Sequence, residues 1–123
     1  MTFEERKSQV KEYLGKTVVI GIDRPVGYVH KKENYTLTYP INYGYIPGVF
    51  GGDGEELDVY LLGVSEPVEQ FECKIIAIAH RSNDVEDKLV GAPLGMHFSK
   101  EEIESVIRFQ EQYYDTKVEI LEF

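Results

Sequence analysis

The middle of the chain alternates short apolar, β-branched runs with turn residues. Six such runs predict strands, at residues 17–22 (TVVIGI), 35–39 (YTLTY), 57–62 (LDVYLL), 73–79 (CKIIAIA), 88–91 (KLVG) and 116–121 (TKVEIL). β-Branched and aromatic residues favour strands because they pack well on a pleated surface. The nearly continuous apolar run at 73–79 is typical of a strand in a barrel or sandwich core.

Two helices are predicted near the ends of the chain. Thr2 and Glu5 have the spacing of a capping box and Gly15 supplies a C-terminal stop, so residues 3–14 are expected to be helical. Ser99 opens a later helix with a second capping box, which reaches Glu102. The mostly helical apolar stripe that follows consists of Ile103, Val106, Ile107, Tyr113 and Tyr114.

Several short strands, with helices only near the ends, predict a mainly β (α+β) fold. The expected architecture is a small β-barrel with an N-terminal and a C-terminal helix. A chain of 123 residues is large enough for one hydrophobic core, and it contains no repeat or linker-like segment. We therefore expect residues 1–123 to form a single domain.

The stretch at residues 39–58 (YPINYGYIPGVFGGDGEELD) fits neither a helix nor a simple strand. Tyrosines, prolines and glycines dominate it, and it ends in four carboxylates. Asp53 and Asp58 lie five residues apart across a glycine, so a turn entering a strand brings both to one side. Mg²⁺ prefers oxygen ligands of this kind. The alternative is a solvated acidic turn, whereas a Ca²⁺-binding helix–loop–helix is disfavoured because the glycine register is wrong.

A second acidic segment, NDVEDK at 83–88, follows the apolar strand at 73–79. A loop at this position is able to converge with the first acidic cluster. Lys88 comes directly after the acids, where an ammonium group is suited to bind a phosphate oxygen. Surface ion pairs, which contribute little stability, explain the same pattern about equally well.

Charge and composition exclude several kinds of partner. The formal net charge of −9 disfavours nonspecific binding to nucleic acid or to an anionic membrane. A single cysteine, Cys73, excludes an internal disulfide and fits a reducing compartment. The first 15 residues do not resemble a secretory signal, and no apolar run approaches the roughly 20 residues of a membrane span. We therefore expect a cytoplasmic protein.

Three motifs in this order resemble the soluble family I inorganic pyrophosphatases: YPINYGYIPG at 39–48, DGEELDV at 53–59 and EDKLVGAP at 86–93. The late aromatic segment FQEQYY at 109–114 matches as well. The resemblance implies a small OB-like β-barrel that hydrolyses pyrophosphate to two phosphates with Mg²⁺, Mn²⁺ being the alternative metal. It also implies a homo-oligomer.

The resemblance further implies which acids hold the metal and activate water. Asp53, Asp58 and Glu86 correspond to the carboxylates of the principal metal, and Asp84 to a further metal ligand. Glu55 takes the place of an aspartate that acts as general base or orients the attacking water. Bound metal ions lower the pKa of water, and Glu55 or Asp58 would then accept its proton.

For the substrate, the resemblance implies that Lys88, Tyr43 and Tyr113 bind phosphate and that Tyr39 supports the site. The ammonium group would form charge-assisted hydrogen bonds to the departing phosphate, and the phenols would form neutral ones. In phosphoryl transfer, positioning and charge neutralisation supply most of the catalysis.

Two positions depart from the family pattern. Gly21 stands where the family usually has a glutamate, and Tyr114 stands where it has a lysine. The family's Lys-Tyr-Glu strand has no clear counterpart either, and the residues available in place of its missing cation are Arg24, Lys31 and Lys32, with His30 as a further candidate. Two alternatives therefore stand beside pyrophosphate hydrolysis. One is hydrolysis of another phosphoanhydride, such as a nucleotide or polyphosphate, and the other is a catalytically weakened barrel that serves as a binding module.

Overall fold

The computed structural model describes residue 5 and residues 9–51, 54–82 and 87–121. Its regular elements are strands β1 (Thr17–Arg24), β2 (Val29–Lys31), β3 (Thr36–Thr38), β4 (Asn42–Phe50), β5 (Glu56–Leu61), β6 (Gln70–Arg81), β7 (Lys88–Ala92) and β8 (Thr116–Ile120), and a C-terminal helix (Lys100–Glu111). Each of the six predicted strands is present, with ends shifted by up to three residues. Within these residues no helix has the length and apolar character needed to cross a membrane.

Five of the strands close into a barrel. Hydrogen bonding runs in the order β1–β4–β5–β7–β6, and β1 also pairs with β6, so the sheet returns on itself. The β5–β7 pair is parallel, and the other barrel pairs are antiparallel. Strand β8 pairs with β6, while β2 and β3 form a separate two-stranded sheet. The predicted mainly β, OB-like barrel is thus confirmed.

Side chains along β5 alternate between two apolar clusters. Leu57, Val59 and Leu61 belong to a cluster to which all five barrel strands contribute, and which is therefore the barrel interior. Tyr60 joins a second cluster, which packs against the C-terminal helix. Successive side chains of a strand point to opposite faces, so Asp58 shares the outer face with Tyr60. The alternation places a carboxylate outside the apolar interior.

The C-terminal helix begins with the predicted capping box. The Ser99 hydroxyl accepts a hydrogen bond of 3.1 Å from the Glu102 amide, and the Glu102 carboxylate accepts one of 2.9 Å from the Ser99 amide. The buried side chains of Ile103 and Ile107 face the second cluster. The helix ends at Glu111, so the two tyrosines at the end of the predicted stripe lie beyond it.

Two regions differ from the sequence expectation. Residues 42–50, which show no simple pattern, form strand β4, and the short β2 was not predicted either. A Cβ atom added at Gly44 would lie 1.8 Å from the Gly21 carbonyl oxygen, so the backbones of β1 and β4 are in close contact there. Of the predicted helix at 3–14, residues 5 and 9–11 are helical and 12–15 form a turn. Its remaining positions lie outside the described residues.

Candidate active site

Asp58 and Lys88 form an ion pair at the centre of the candidate site. Asp58 lies on β5, and Lys88 begins β7, the neighbouring parallel strand. Lys88 Nζ lies 2.5 Å from Asp58 Oδ2. The lysine side chain is nearly buried and the carboxylate keeps partial exposure. The ion pair therefore joins a residue of the segment 39–58 to a residue of the segment 83–88, across the paired strands β5 and β7.

Strand β4 brings Tyr43 to this pair. The phenol is buried, and the charges of Lys88 and Asp58 both act on it. Burial raises the pKa of Tyr43 well above its usual range, and the nearby Asp58 charge acts in the same direction against the opposing effect of Lys88. The Tyr43 hydroxyl therefore stays protonated and available as a hydrogen-bond donor.

Asn42, the asparagine of the YPINYGY motif, has a structural role. The side chain is fully buried. Its Oδ1 accepts a hydrogen bond of 3.1 Å from the Val26 amide, and its Nδ2 donates one of 2.9 Å to the Glu66 carbonyl. A buried amide must be satisfied in this way to avoid a desolvation penalty. Asn42 thus ties two loops to the start of β4.

A chain of hydrogen bonds runs behind Tyr43. Arg24 Nη1 donates to the Tyr39 hydroxyl at 2.5 Å, and that hydroxyl donates to Gln110 Oε1 at 2.6 Å. The buried Tyr39 ring lies 5.4 Å from the Tyr43 ring, centroid to centroid. The sequence had singled out Tyr39 but had left Arg24 unplaced. It missed Gln110, although this residue lies in the FQEQYY segment.

Asp23 is a carboxylate that the sequence reasoning missed. Desolvation raises the pKa of Asp23 and outweighs a backbone hydrogen bond that lowers it, and the charges of Asp58 and Glu56 raise it further. Three carboxylates therefore lie within electrostatic reach of one another. The available signal was the position of Asp23, two residues after Gly21 on the same strand.

The donor set at the site consists of hard oxygen atoms, which fits Mg²⁺ rather than a thiol-seeking metal. Asp58 is the described member of the expected metal ligands, and Asp53, Asp84 and Glu86 lie outside the described residues. Within the described part of the chain, no three histidine, cysteine or acidic side chains group as a metal site would.

Two further predicted residues lie at the periphery. Glu55 is exposed in the turn before β5, where its carbonyl accepts a hydrogen bond from the Gly51 amide. Tyr113 is 49% exposed and stacks on Tyr35, with ring centroids 4.7 Å apart. Among the predicted site residues, the structure groups four: Tyr39, Tyr43, Asp58 and Lys88.

Comparison with known proteins identifies the family of this chain. The family model described as inorganic pyrophosphatase matches residues 7–119, which is most of the chain. The chain belongs to the inorganic pyrophosphatase family. The expected family and the expected enzyme class, an inorganic diphosphatase, are thereby confirmed. A search of curated protein sequences finds no significant match.

Solved inorganic pyrophosphatases share the fold at low sequence identity. The enzyme from Ehrlichia chaffeensis is 17% identical, with a TM-score of 0.66 over 87% of each chain. That from Helicobacter pylori is 16% identical, with a TM-score of 0.63 over 88% of this chain and 86% of the other. The inorganic pyrophosphatase from Coxiella burnetii is 18% identical, with a TM-score of 0.61 over 89% of this chain and 87% of the other. At these identities the likeness shows the fold.

This pyrophosphatase-family member has a tyrosine ring where the resemblance places a glutamate side chain. The strand register pairs Gly21 with Tyr45, and Tyr45 with Asp58. A Cβ atom at Gly21 would lie 2.8 Å from the end of the Tyr45 ring. Tyr45 therefore covers Gly21, and a side chain at position 21 would require the ring to move.

The second departure from the family pattern, Tyr114, packs on a buried cation. The guanidinium carbon of Arg81 lies 3.6 Å from the centroid of the Tyr114 ring. Arg81 also forms a buried ion pair with Glu111. Tyr114 thus packs on the cation of the ion pair that joins the C-terminal helix to β6.

Proposed function

We propose that this protein hydrolyses inorganic pyrophosphate to two phosphates with the aid of bound Mg²⁺, Mn²⁺ being the alternative metal. One observation carries the proposal: the Asp58–Lys88 pair, with the buried Tyr43 phenol within electrostatic reach of both charges. A carboxylate for metal, an ammonium for phosphate and a neutral phenol donor lie together on the outer face of a barrel of the inorganic pyrophosphatase family.

The proposed metal ligands are carboxylates from both acidic segments: Asp53, Asp58, Asp84 and Glu86. When bound, the metal ions supply neutralisation of substrate charge and a lowered pKa for the attacking water. Pyrophosphate is a multiply charged anion, so repulsion opposes the approach of a nucleophile. Neutralisation and positioning are therefore the main demands on the site.

The side chains have complementary roles in the proposed reaction. Glu55 or Asp58 accepts the proton of the attacking water. Lys88 and Tyr43 donate hydrogen bonds to the phosphate oxygens, where negative charge accumulates as the bridging bond breaks. Tyr113 would donate a further hydrogen bond to phosphate. Tyr39 does not touch substrate in this scheme but holds the residues around Tyr43.

We also propose that residues 1–123 act as a single cytoplasmic domain that assembles as a homo-oligomer. Its charge of −9 leaves little basic surface for nucleic acid. The proposed partner is therefore the small anion itself.

The substitution Asp58→Asn tests this proposal. Wild-type protein should release phosphate from pyrophosphate with Mg²⁺, and the variant should lose at least about a hundredfold in kcat, because metal and proton acceptor are both affected. Mg²⁺ should also raise the thermal unfolding midpoint of the wild type by mass action and do so less in the variant.

The matched control is Glu104→Gln, an exposed acid on the C-terminal helix, which should keep both responses. Nucleoside triphosphates and polyphosphate serve as competing substrates, and faster phosphate release from either would overturn the assignment of pyrophosphate. Absence of phosphate release with both Mg²⁺ and Mn²⁺ would overturn the hydrolase itself.

A further inference from the structure

Arg24 ends strand β1 inside a group of three tyrosine rings. Its guanidinium carbon lies 5.9, 5.5 and 5.7 Å from the ring centroids of Tyr28, Tyr39 and Tyr43. The β1–β4 register shifts between Ile22 and Arg24, and a bulge of this kind redirects side chains next to functional sites. Aromatic faces and the bond to Tyr39 therefore hold the guanidinium in one place before any ligand arrives.

The guanidinium retains hydrogen-bond donors. A guanidinium has five N–H groups, and within the described ranges the Arg24 side chain donates only from Nη1, to Tyr39. No carboxylate in these ranges lies within ion-pair distance of it, and the side chain is partly exposed. Arg24 thus presents positive charge and unused donors at the surface of the molecule.

Tyr43 connects Arg24 to the proposed active site. The Arg24 guanidinium carbon lies 5.7 Å from the centroid of the Tyr43 ring, and the charges of Lys88 and Asp58 act on the Tyr43 hydroxyl. Arg24 and Lys88 are therefore both close to Tyr43. A diphosphate has charge on both phosphate groups, so two separated cations suit it better than one.

Lys88, beside Asp58, is the proposed ligand of one phosphate, and the other cations of the region are less suited than Arg24 to hold the second. Arg81 is paired with Glu111 in the interior. Loss of solvent, and the positive charges of Arg24 and Lys32, lower the pKa of His30, which disfavours the charged form that would bind an anion. Lys31 and Lys32 are exposed on β2 and just after it, and lysine lacks the planar fork that holds two oxygens.

We propose that Arg24 binds a phosphate group of the diphosphate substrate. This inference rests on the proposed function, because it names a ligand of the same site. The bonds are non-covalent: the free N–H groups of Arg24 donate to two oxygens of one phosphate, while Lys88 holds the other phosphate.

The test is the affinity of the full-length protein for methylenediphosphonate, a diphosphate that water cannot cleave, measured by calorimetry in Mg²⁺ buffer. Arg24→Gln should weaken binding by roughly ten- to a hundredfold, as expected for the loss of hydrogen bonds to a charged group. Arg24→Lys keeps the positive charge but loses the planar guanidinium, so its affinity should lie between those of the wild type and Arg24→Gln. The matched control, Arg108→Gln on the exposed face of the C-terminal helix, should bind as the wild type does.

A purely structural role predicts a different result. If Arg24 only packs on tyrosines, Arg24→Gln should lower the unfolding midpoint and leave the affinity of the folded protein unchanged, which would overturn the inference. Should Arg24→Gln fail to fold, Tyr39→Phe keeps the ring and removes the hydroxyl that orients Nη1. That variant should then bind several-fold more weakly, and unchanged binding would be equally decisive against Arg24.

The same measurements separate this inference from the proposed function. Wild-type protein that binds methylenediphosphonate through Arg24 but releases no phosphate from pyrophosphate would contradict the hydrolase and keep the anion site. Normal phosphate release together with unchanged binding by Arg24→Gln would keep the hydrolase and contradict Arg24. Wild-type protein that neither binds nor hydrolyses would overturn both.

Discussion

Gly44 determines how closely two strands of the site approach one another. It lies on β4 opposite Ile22, and the Gly21 carbonyl oxygen fills the space where a Cβ would be. This contact holds β1 against β4, and so fixes Arg24 relative to Tyr43. The absence of a side chain at Gly44 thus sets the position of Arg24 relative to Tyr43 in the proposed phosphate-binding region.

Gly44→Ala should destabilise the protein by at least about 2 kcal/mol, because the added Cβ would lie 1.8 Å from a backbone oxygen that has no rotamer to change. Urea unfolding followed by fluorescence measures the free energy of unfolding. Gly21→Ala is the matched comparison, since its nearest obstacle is the end of the Tyr45 side chain. Gly21→Ala should lower the free energy of unfolding clearly less than Gly44→Ala does. An equal decrease in the two variants would contradict this explanation.

At the scale of elements, the C-terminal helix is joined to the barrel by a buried polar network. Arg81 on β6 forms an ion pair with Glu111 at the end of the helix. The Tyr60 hydroxyl donates to the same carboxylate at 2.5 Å, and the Thr116 hydroxyl donates to it at 2.8 Å. One helix residue thus contacts β5, β6 and β8. The same helix supplies Gln110, which accepts the hydrogen bond from Tyr39.

Glu111→Gln should destabilise the protein by about 3–5 kcal/mol, because it removes the carboxylate charge that faces the buried Arg81 guanidinium. The free energy of unfolding in urea is the measurement. Replacing both Arg81 and Glu111 by methionine should lower the free energy of unfolding less than Glu111→Gln does, since this change removes both buried charges together. A double variant that is less stable than Glu111→Gln would contradict this explanation.

At the scale of the whole molecule, folding buries several groups that must keep their protons. Burial raises the pKa of the Cys73 thiol from 9.0 to about 12, with a smaller contribution from Glu72. Burial likewise raises the pKa of Tyr43 and Tyr60 above their usual value of 10.0. A group with a raised pKa in the folded state stabilises it fully below the unfolded pKa, and this contribution is lost as the pH rises towards the folded pKa.

The free energy of unfolding should therefore fall as the pH rises above about 9. Cys73 alone contributes about 1.4 kcal/mol per pH unit between its two pKa values, and the tyrosines add to the loss above pH 10. Urea unfolding with reductant at a series of pH values measures the slope. Cys73→Ala should flatten the curve between pH 9 and 10, and an unchanged slope would show that another group is responsible.

Local sequence signals predicted the elements whose formation depends on neighbouring residues. The runs of β-branched residues predicted six strands, because the preference of these side chains for a pleated surface can be recognised within each segment alone. The Ser99–Glu102 capping box predicted the start of the C-terminal helix for the same reason. Strand β4 was not predicted, because its glycines and tyrosines are suited to contacts with β1 and β5, and these contacts are not visible in the local sequence.

The sequence by itself determined the mainly β fold, the family through its ordered motifs, and a site with acids, tyrosines and Lys88. These follow from residue types and spacing, which are properties of the linear chain. The tertiary structure alone decided that Asp58, Lys88 and Tyr43 meet, that Tyr45 covers Gly21, and that Arg24 lies among tyrosine rings. Barrel closure and strand register bring together residues far apart along the chain, and neither can be read from local pattern. The choice of Arg24 among the four candidate cations therefore had to come from contacts in three dimensions.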